Sequence, residues 1–291
     1  MVVDLIHQLT AEQVNAAYPG KPPVALVPSP PVATVPPRQE PILETIKRTG
    51  ELRIAMRRDA PPFGYDDNTT GWSGYCPNLA LALRDHLAET LQAPVVMPST
   101  LDNRFDLVRD GQVYLECGPN TIRRDVPGIE FSNVIFATGS HFLTTPEKAD
   151  GINPALSLAG VRVGVLANST NQTLLQERYP EAVATPFSGP RGRSLAVQSV
   201  YQGELDAFLG DDILTLSEVL QQGLLAQNLT LVPELPLSCE YYGLALPQND
   251  PQWVRTVNGF LAAAAGQDTW KAWLGQYTPY ALDTLSYCLN R

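Results

Sequence analysis

The chain has 291 residues and a mass of 31.7 kDa, more than one typical hydrophobic core accommodates, so two domains are expected. Apolar residues make up 44% and charged residues 17%, which excludes wholesale disorder. With 20 Lys+Arg against 30 Asp+Glu the net charge is -10, which argues against a nucleic-acid or anionic-membrane partner. In chain order, the first feature is proline: nine of the 26 fall between Pro19 and Pro41. Such a segment cannot propagate a helix or a central strand, and it reads as an extended spacer or as a coil laid on the folded body. From residue 42 the texture becomes α/β. The pattern predicts a short helix at 42–47, a strand at 52–56, and then a Pro-rich loop and a turn. A helix at 77–91 follows, with Leu79, Leu83 and Leu87 on one face, then a strand at 95–97, a helix at 104–109 and a strand at 113–117. Residues 134–143 are apolar and extended. A second α/β series begins near residue 160: strand 161–166, helices 170–178 and 194–202, strand 207–210, helix 213–222 and strand 229–232. Residues 241–246 are again extended, and the chain from about residue 251 reads as helical. Strands alternating with helices predict parallel sheets covered on both faces, and the restart near 160 predicts a second lobe.

The three histidines, His7, His86 and His141, show no metal-ligand spacing, and no Gly-x-Ser-x-Gly, Walker A or dinucleotide motif is present. No run approaches the roughly 18 to 20 apolar residues of a membrane span. No basic segment followed by an apolar run opens the sequence, so a cytoplasmic protein or a mature or trimmed form is expected. Cys76, Cys117, Cys239 and Cys288 are too dispersed for a zinc site. They permit two disulfides in three connectivities, with buried free thiols as the alternative. No metal or cofactor is expected.

Polar loops at strand ends are more informative. The strand at 52–56 runs into Arg57-Arg58-Asp59, that at 113–117 into Gly118-Pro119-Asn120-Thr121-Ile122-Arg123-Arg124, that at 161–166 into Asn168-Ser169-Thr170-Asn171, and that at 207–210 into Asp211-Asp212. In open α/β sheets the carboxyl ends of strands form the ligand crevice. Hydroxyls at a helix start and arginine forks bind carboxylate, while an aspartate holds an ammonium. Together they describe a site for an α-amino acid.

On these motifs the sequence resembles the solute-binding proteins of polar amino-acid ABC transporters, the two-lobed periplasmic binding proteins. The resemblance spans about residues 42–280. It is carried by ILETIKRTGELRIAMRRDAPPFGYDDNTTGWSGYCPNLALAL, NRFDLVRDGQVYLECGPNTIRRDVPGIEFS, GVRVGVLANSTNQTLL, GELDAFLGDD and EYYGLALPQNDPQW. It implies a type II α/β fold with two crossover strands as the hinge. Lobe 1 would comprise 42–138 plus 244–291 and lobe 2 139–243, preceded by an extension over 1–41. It implies further that Arg57 contacts the ligand side chain and, with a cationic Arg191, favours an acidic or neutral polar side chain over a basic one. Thr121 and either Arg123 or Arg124 would hold the α-carboxylate, the loop being about two residues shorter than usual. Ser169 and Thr170 would close over that carboxylate, and Asp211 would hold the α-ammonium. Asp212 would cap the following helix. The implied function is that of a periplasmic, monomeric, non-enzymatic component of an importer, whose closed form meets a membrane permease and ATPase complex. A receptor's sensing domain and a dehydratase-like enzyme on the same architecture are the alternatives.

Overall fold

The computed structural model describes residues 40–66 and 71–289, and the Pro-rich spacer expected over 19–41 lies almost entirely outside them. Helix α1 (Ile42–Thr49) buries Ile42 and Ile46, one turn apart, and stops at Gly50, whose φ of 70° suits a residue without Cβ. Strand β1 (Arg53–Arg57) pairs in parallel with β5 (Val95–Ser99) and β6 (Leu115–Thr121). The expected loop and turn between β1 and helix α2 (Tyr75–Leu87) instead form a small antiparallel sheet, β2 (Asp59–Ala60), β3 (Gly64–Asp66) and β4 (Trp72–Ser73). Pro98 is tolerated in β5 because that strand is a sheet edge. Strand β6 runs four residues past the expected end at Cys117. Gly-Pro-Asn reads locally as a turn, but β13 (Cys239–Pro247) pairs alongside and sets Gly243 opposite Asn120 and Tyr242 opposite Thr121. Helix α3 (Arg104–Arg109) and strand β7 (Ile129–Phe131) complete the first half of this lobe.

Two long, fully buried strands carry the chain between lobes. Strand β8 (Phe136–Thr144) pairs with β13 over its first half and with β11 (Ala207–Asp211) and β12 (Thr230–Val232) over its second. The strand order is β10-β9-β11-β8-β13-β6-β1-β5. The crossover strands run antiparallel to their neighbours, so the sheets are mixed where purely parallel ones were expected. The second lobe contains a short α4 (Pro146–Ala149), then β9 (Arg162–Leu166), α5 (Thr170–Arg178), β10 (Val183–Phe187), α6 (Gly192–Tyr201), β11 and α7 (Asp212–Gln221). Strand β10 has no forerunner in the sequence reading, because it is an exposed edge strand whose VATPF lacks any alternation.

Helices α8 (Pro251–Ala262), α9 (Ala264–Leu274) and α10 (Thr278–Leu289) return to the first lobe. Its core buries Trp253 and Trp270, whose indole N–H groups donate to the carbonyls of Tyr114 and Ile135 at 2.7 Å each. Asp250 caps α8 through Trp253 N and also accepts from Ile42 N at 2.7 Å, tying the start of α1 to the start of α8. The cysteines resolve into Cys76–Cys117, which ties α2 to β6, and Cys239–Cys288, which ties β13 to α10; neither pair is a free thiol.

The lobes touch across the cleft as well as through the hinge. Leu101, from the loop after β5, packs on the second-lobe cluster of Leu166 and Phe208, while Ile213 and Leu214 join the first-lobe core. Asn168 Nδ2, at the start of the α5 loop, donates to Asp102 Oδ1 at 2.6 Å. Asn168 holds a φ of 60°, a left-handed conformation that asparagine tolerates better than most residues.

Candidate functional site

The carboxyl ends of β1 and β6 face those of β9 and β11, and the chamber between them is lined by Arg57, Thr121, Arg123, Ser169, Thr170 and Asp211. Six of the eight residues singled out in the sequence therefore meet in one place. Arg124 and Arg191 do not line it, and both are exposed. Arg104, Arg193 and Asn171 line it instead, and the sequence reading had not nominated them.

Arg57 ends β1 with only 2% exposure. Its stem lies against Gly118 of β6, where a Cβ would stand 3.0 Å from Arg57 Cγ and 2.9 Å from Glu116 Oε1. Its Nε and Nη2 donate to the two oxygens of Asp59 at 2.7 and 2.6 Å. The guanidinium edge that would grip a carboxylate is therefore occupied by the protein's own aspartate.

Arg104, the first residue of α3, is buried over the ring of Phe105. It donates from Nε to Asn120 Oδ1 at 3.1 Å and from Nη1 to the Leu101 carbonyl. Burial lowers its pKa to about 10, partly offset by the nearby Glu116. Glu116 is fully buried, accepts from Ser99 Oγ at 2.6 Å and Asn120 Nδ2 at 2.5 Å, and is held above the usual carboxylate range by desolvation.

Arg193 lies in the first turn of α6 with 5% exposure, and its Nε is buried without a hydrogen-bond partner. Desolvation lowers its pKa; Asp59 and Asp211 oppose that shift and Arg57 adds to it. A buried guanidinium donor left unmatched in a cleft is costly unless a ligand completes it. The sequence reading had placed the cation at Arg191, two residues earlier. The helix begins at Gly192, so Arg191 remains on the exposed turn and Arg193 enters the cleft.

Asp211 ends β11 and is buried at 6% exposure. Its Oδ1 accepts from Asn171 Nδ2 at 2.7 Å and Ser140 Oγ at 3.5 Å, and its Oδ2 accepts from the Tyr242 hydroxyl. Desolvation raises its pKa, and the hydrogen bonds from Tyr242 and Asn171 partly counter it. Asp212, expected as a helix cap, does accept from Ile213 N at 2.8 Å. It also accepts from Thr138 Oγ1 and Gly139 N of β8 and lies 3.2 Å from His141 Nδ1, which locks α7 onto the crossover strand. Thr121 donates at 2.6 Å to Glu240 of the other crossover strand, and Ser238 bridges Glu240 to Ser140 with bonds of 2.8 and 2.7 Å. Burial and the proximity of Asp211 raise the Glu240 pKa to about 7. A chain of polar contacts thus runs Thr121, Glu240, Ser238, Ser140, Asp211 through the hinge. Ser169 caps α5, accepting from Gln172 N at 3.2 Å, and so turns that helix's free amides toward the chamber.

No cluster of side chains suited to a metal ion occurs among the described residues, nor any helix long and apolar enough to cross a membrane. The site offers hydroxyls, amides, guanidiniums and one anionic anchor, divided between two lobes.

Residues 52–279 match the bacterial extracellular solute-binding proteins, family 3. The chain belongs to that family. The glutamate/aspartate import solute-binding protein of Salmonella typhimurium is 26% identical over 242 residues, covering 81% of this chain and 78% of that protein. The L-glutamate/L-aspartate-binding protein of Pseudomonas aeruginosa is 25% identical over 223 residues, covering 74% and 72%. Among solved structures, an ancestral amino acid-binding protein described as a precursor of cyclohexadienyl dehydratase superposes with a TM-score of 0.70 at 23% identity, covering 82% of this chain and 100% of that one. The family-3 protein is thus a two-lobed, extracytoplasmic solute-binding protein, with crossover strands β8 and β13 joining its lobes.

Proposed function

We propose that this family-3 protein binds an L-α-amino acid with an acidic or neutral polar side chain in the chamber between its lobes, and presents it in the closed form to an ABC permease and ATPase complex. The observation that carries this reading is one buried carboxylate, Asp211, set among four arginines, Arg57, Arg104, Arg123 and Arg193. Asp211 takes the α-ammonium. Thr121, Arg123 and the α5 amides behind Ser169 and Thr170 take the α-carboxylate. The unmatched Arg193 takes a distal oxygen. The import proteins of Salmonella and Pseudomonas, named for glutamate and aspartate, support the same ligand class. The lobes of this reading are 42–138 plus 244–291 and 139–243. Their support is that β8 pairs with β13 over its first half and with β11 and β12 over its second, while β13 carries the chain back alongside the first-lobe strands β6 and β7.

Calorimetry of the full chain against the twenty amino acids tests it. Glutamate, aspartate, glutamine or asparagine should bind with about micromolar or better affinity, and lysine and arginine should not. Arg193→Ala should weaken glutamate by about tenfold or more. Tight lysine binding, or glutamate affinity indifferent to Arg193, would overturn the proposal.

A further inference from the structure

Beyond Arg57 the same cleft opens into a second chamber of about 140 Å³, against about 40 Å³ for the chamber that holds Asp211. The two share Arg57, Leu101 and Leu166 as a common wall, so they are adjoining rooms of one cleft. The outer room lies between residues 98–102 of the first lobe and 187–190 of the second, under the ends of the edge strands β5 and β10. Resting on the amino-acid reading above, we propose that this room receives a neutral extension of the ligand side chain. The ligand class then includes glutamate-like amino acids lengthened through an amide, such as γ-glutamyl amides with a short apolar tail.

Three features of the walls point to that chemistry. The charged groups there already have partners. Arg57 is paired in two-pronged fashion with Asp59, Asp102 accepts from Asn168, and Arg58 lies 4.4 Å over the Trp72 ring. A carboxylate entering this room would find Arg57 already compensated by Asp59 and would face the carboxylate of Asp102, which is bonded to a neutral amide. The remaining surface is contributed chiefly by Pro98, Leu101, Phe187 and Pro190, which suits a short apolar group. At the junction itself Arg57 has spent its Nε and Nη2 edge on Asp59, which leaves Nη1 outside that pair. With its charge already compensated by Asp59, the remaining N–H groups of Nη1 and Nη2 suit the neutral carbonyl oxygen of an amide better than a second carboxylate. The room that takes the α-groups is the smaller and mixes polar with apolar walls, the larger room beside it is mostly apolar, and the link between them presents the N–H groups of Arg57 that Asp59 leaves over.

Calorimetry of the full chain with L-glutamate and with γ-L-glutamylethylamide tests the proposal, in the native sequence and in Ser188→Trp and Ala167→Phe. Ser188 is exposed and Ala167 half-buried; both line only the outer room. The amide should bind within about tenfold of glutamate or more tightly. Each bulky side chain should weaken the amide by about tenfold or more and shift glutamate by less than about threefold. Glutamate binding with the amide weaker by about a hundredfold or more would overturn the second room as a ligand site, and so would equal losses for both ligands in well-folded variants. Binding of the amide without glutamate would keep the room and overturn the acidic preference. Binding of neither would overturn both.

Discussion

Asp211→Asn removes one negative charge from the middle of the site and turns one accepting oxygen into an amide donor, which the rotatable Tyr242 hydroxyl can accept. The carboxylate receives Asn171 at 2.7 Å, Ser140 at 3.5 Å and the Tyr242 hydroxyl, and a carboxylate has about four lone-pair positions, so one place remains for a ligand ammonium. An ammonium at about 3 Å from it would gain roughly 5 kcal/mol at an effective dielectric constant of ~20. Part of that is returned as ligand desolvation, which leaves about 2 to 4 kcal/mol, or a ~30- to 700-fold rise in Kd for every α-amino acid. The unliganded protein should respond differently. Burial already holds the Asp211 pKa above its ordinary value, so the ionised group is a burden without its ligand. The neutral amide should leave the apo melting temperature unchanged or slightly higher, while the ligand-induced rise in Tm shrinks. Calorimetry and thermal melts on the same samples read both quantities. A Kd within about threefold of the parent value, with an unchanged melt, would refute the assignment of the ammonium to Asp211.

Three further outcomes follow from the geometry. Replacing Cys239 and Cys288 together by serine opens a bridge spanning 49 residues, which a chain-entropy estimate values at about 4 kcal/mol, or a fall in Tm of roughly 8 to 16 °C; an unchanged melt under oxidising conditions would contradict the pairing. Glu240, facing Asp211, Arg123, Thr121 and Ser238, has its folded pKa raised by burial to about 7, so the folded state holds a proton that the unfolded state has lost. Apo stability should therefore fall as pH rises from about 5 through 7, and Glu240→Gln should flatten that slope in melts recorded across the range. Asp102→Ala removes the 2.6 Å inter-lobe bond from Asn168 and should raise Kd by about two- to tenfold, by the same factor for glutamate and glutamine; unequal factors in calorimetry would mean that Asp102 touches the ligand instead.

The residues legible in the sequence share a property: each follows directly from a strand end. Arg57 and Asp211 are the last residues of β1 and β11, and Ser169 lies three residues past β9, close to where the apolar runs stop; Thr121 ends β6 four residues beyond its apolar run, in the polar stretch that follows it. Arg193 escaped because α6 starts two residues before its expected start, which carries Arg193 into the first turn and the cleft; Arg104 lies in a helix found where expected, but its turn inward over Phe105 toward Asn120 depends on tertiary neighbours. The partnership of Arg57 with Asp59 depends on the turn from β1 into β2, and β2 exists only through β3 and β4, for which no local pattern speaks. The cysteine pairing depends on tertiary neighbours separated by 41 and 49 residues, which spacing alone leaves open.

Counting arginines overstates the positive field of the cleft. Arg57 arrives with Asp59 already bound, and Arg104 faces the buried Glu116 through Asn120. The guanidiniums free of a buried carboxylate partner are the half-exposed Arg123, 3.4 Å from an exposed Asp125, and the buried Arg193 with its unmatched Nε. In the proposed binding mode a glutamate ligand sets its ammonium on Asp211, its α-carboxylate against Arg123 and its distal carboxylate toward Arg193, so every uncommitted charge meets an opposite one. A lysine ligand satisfies the first two and drives a second cation toward Arg193, where low polarizability makes like charges repel most strongly. Selectivity then rests on one buried arginine rather than on the sum of four. On that account a net charge of -10 and a cationic cleft are compatible: the acids that dominate the sequence include those that offset two of the cleft's four arginines.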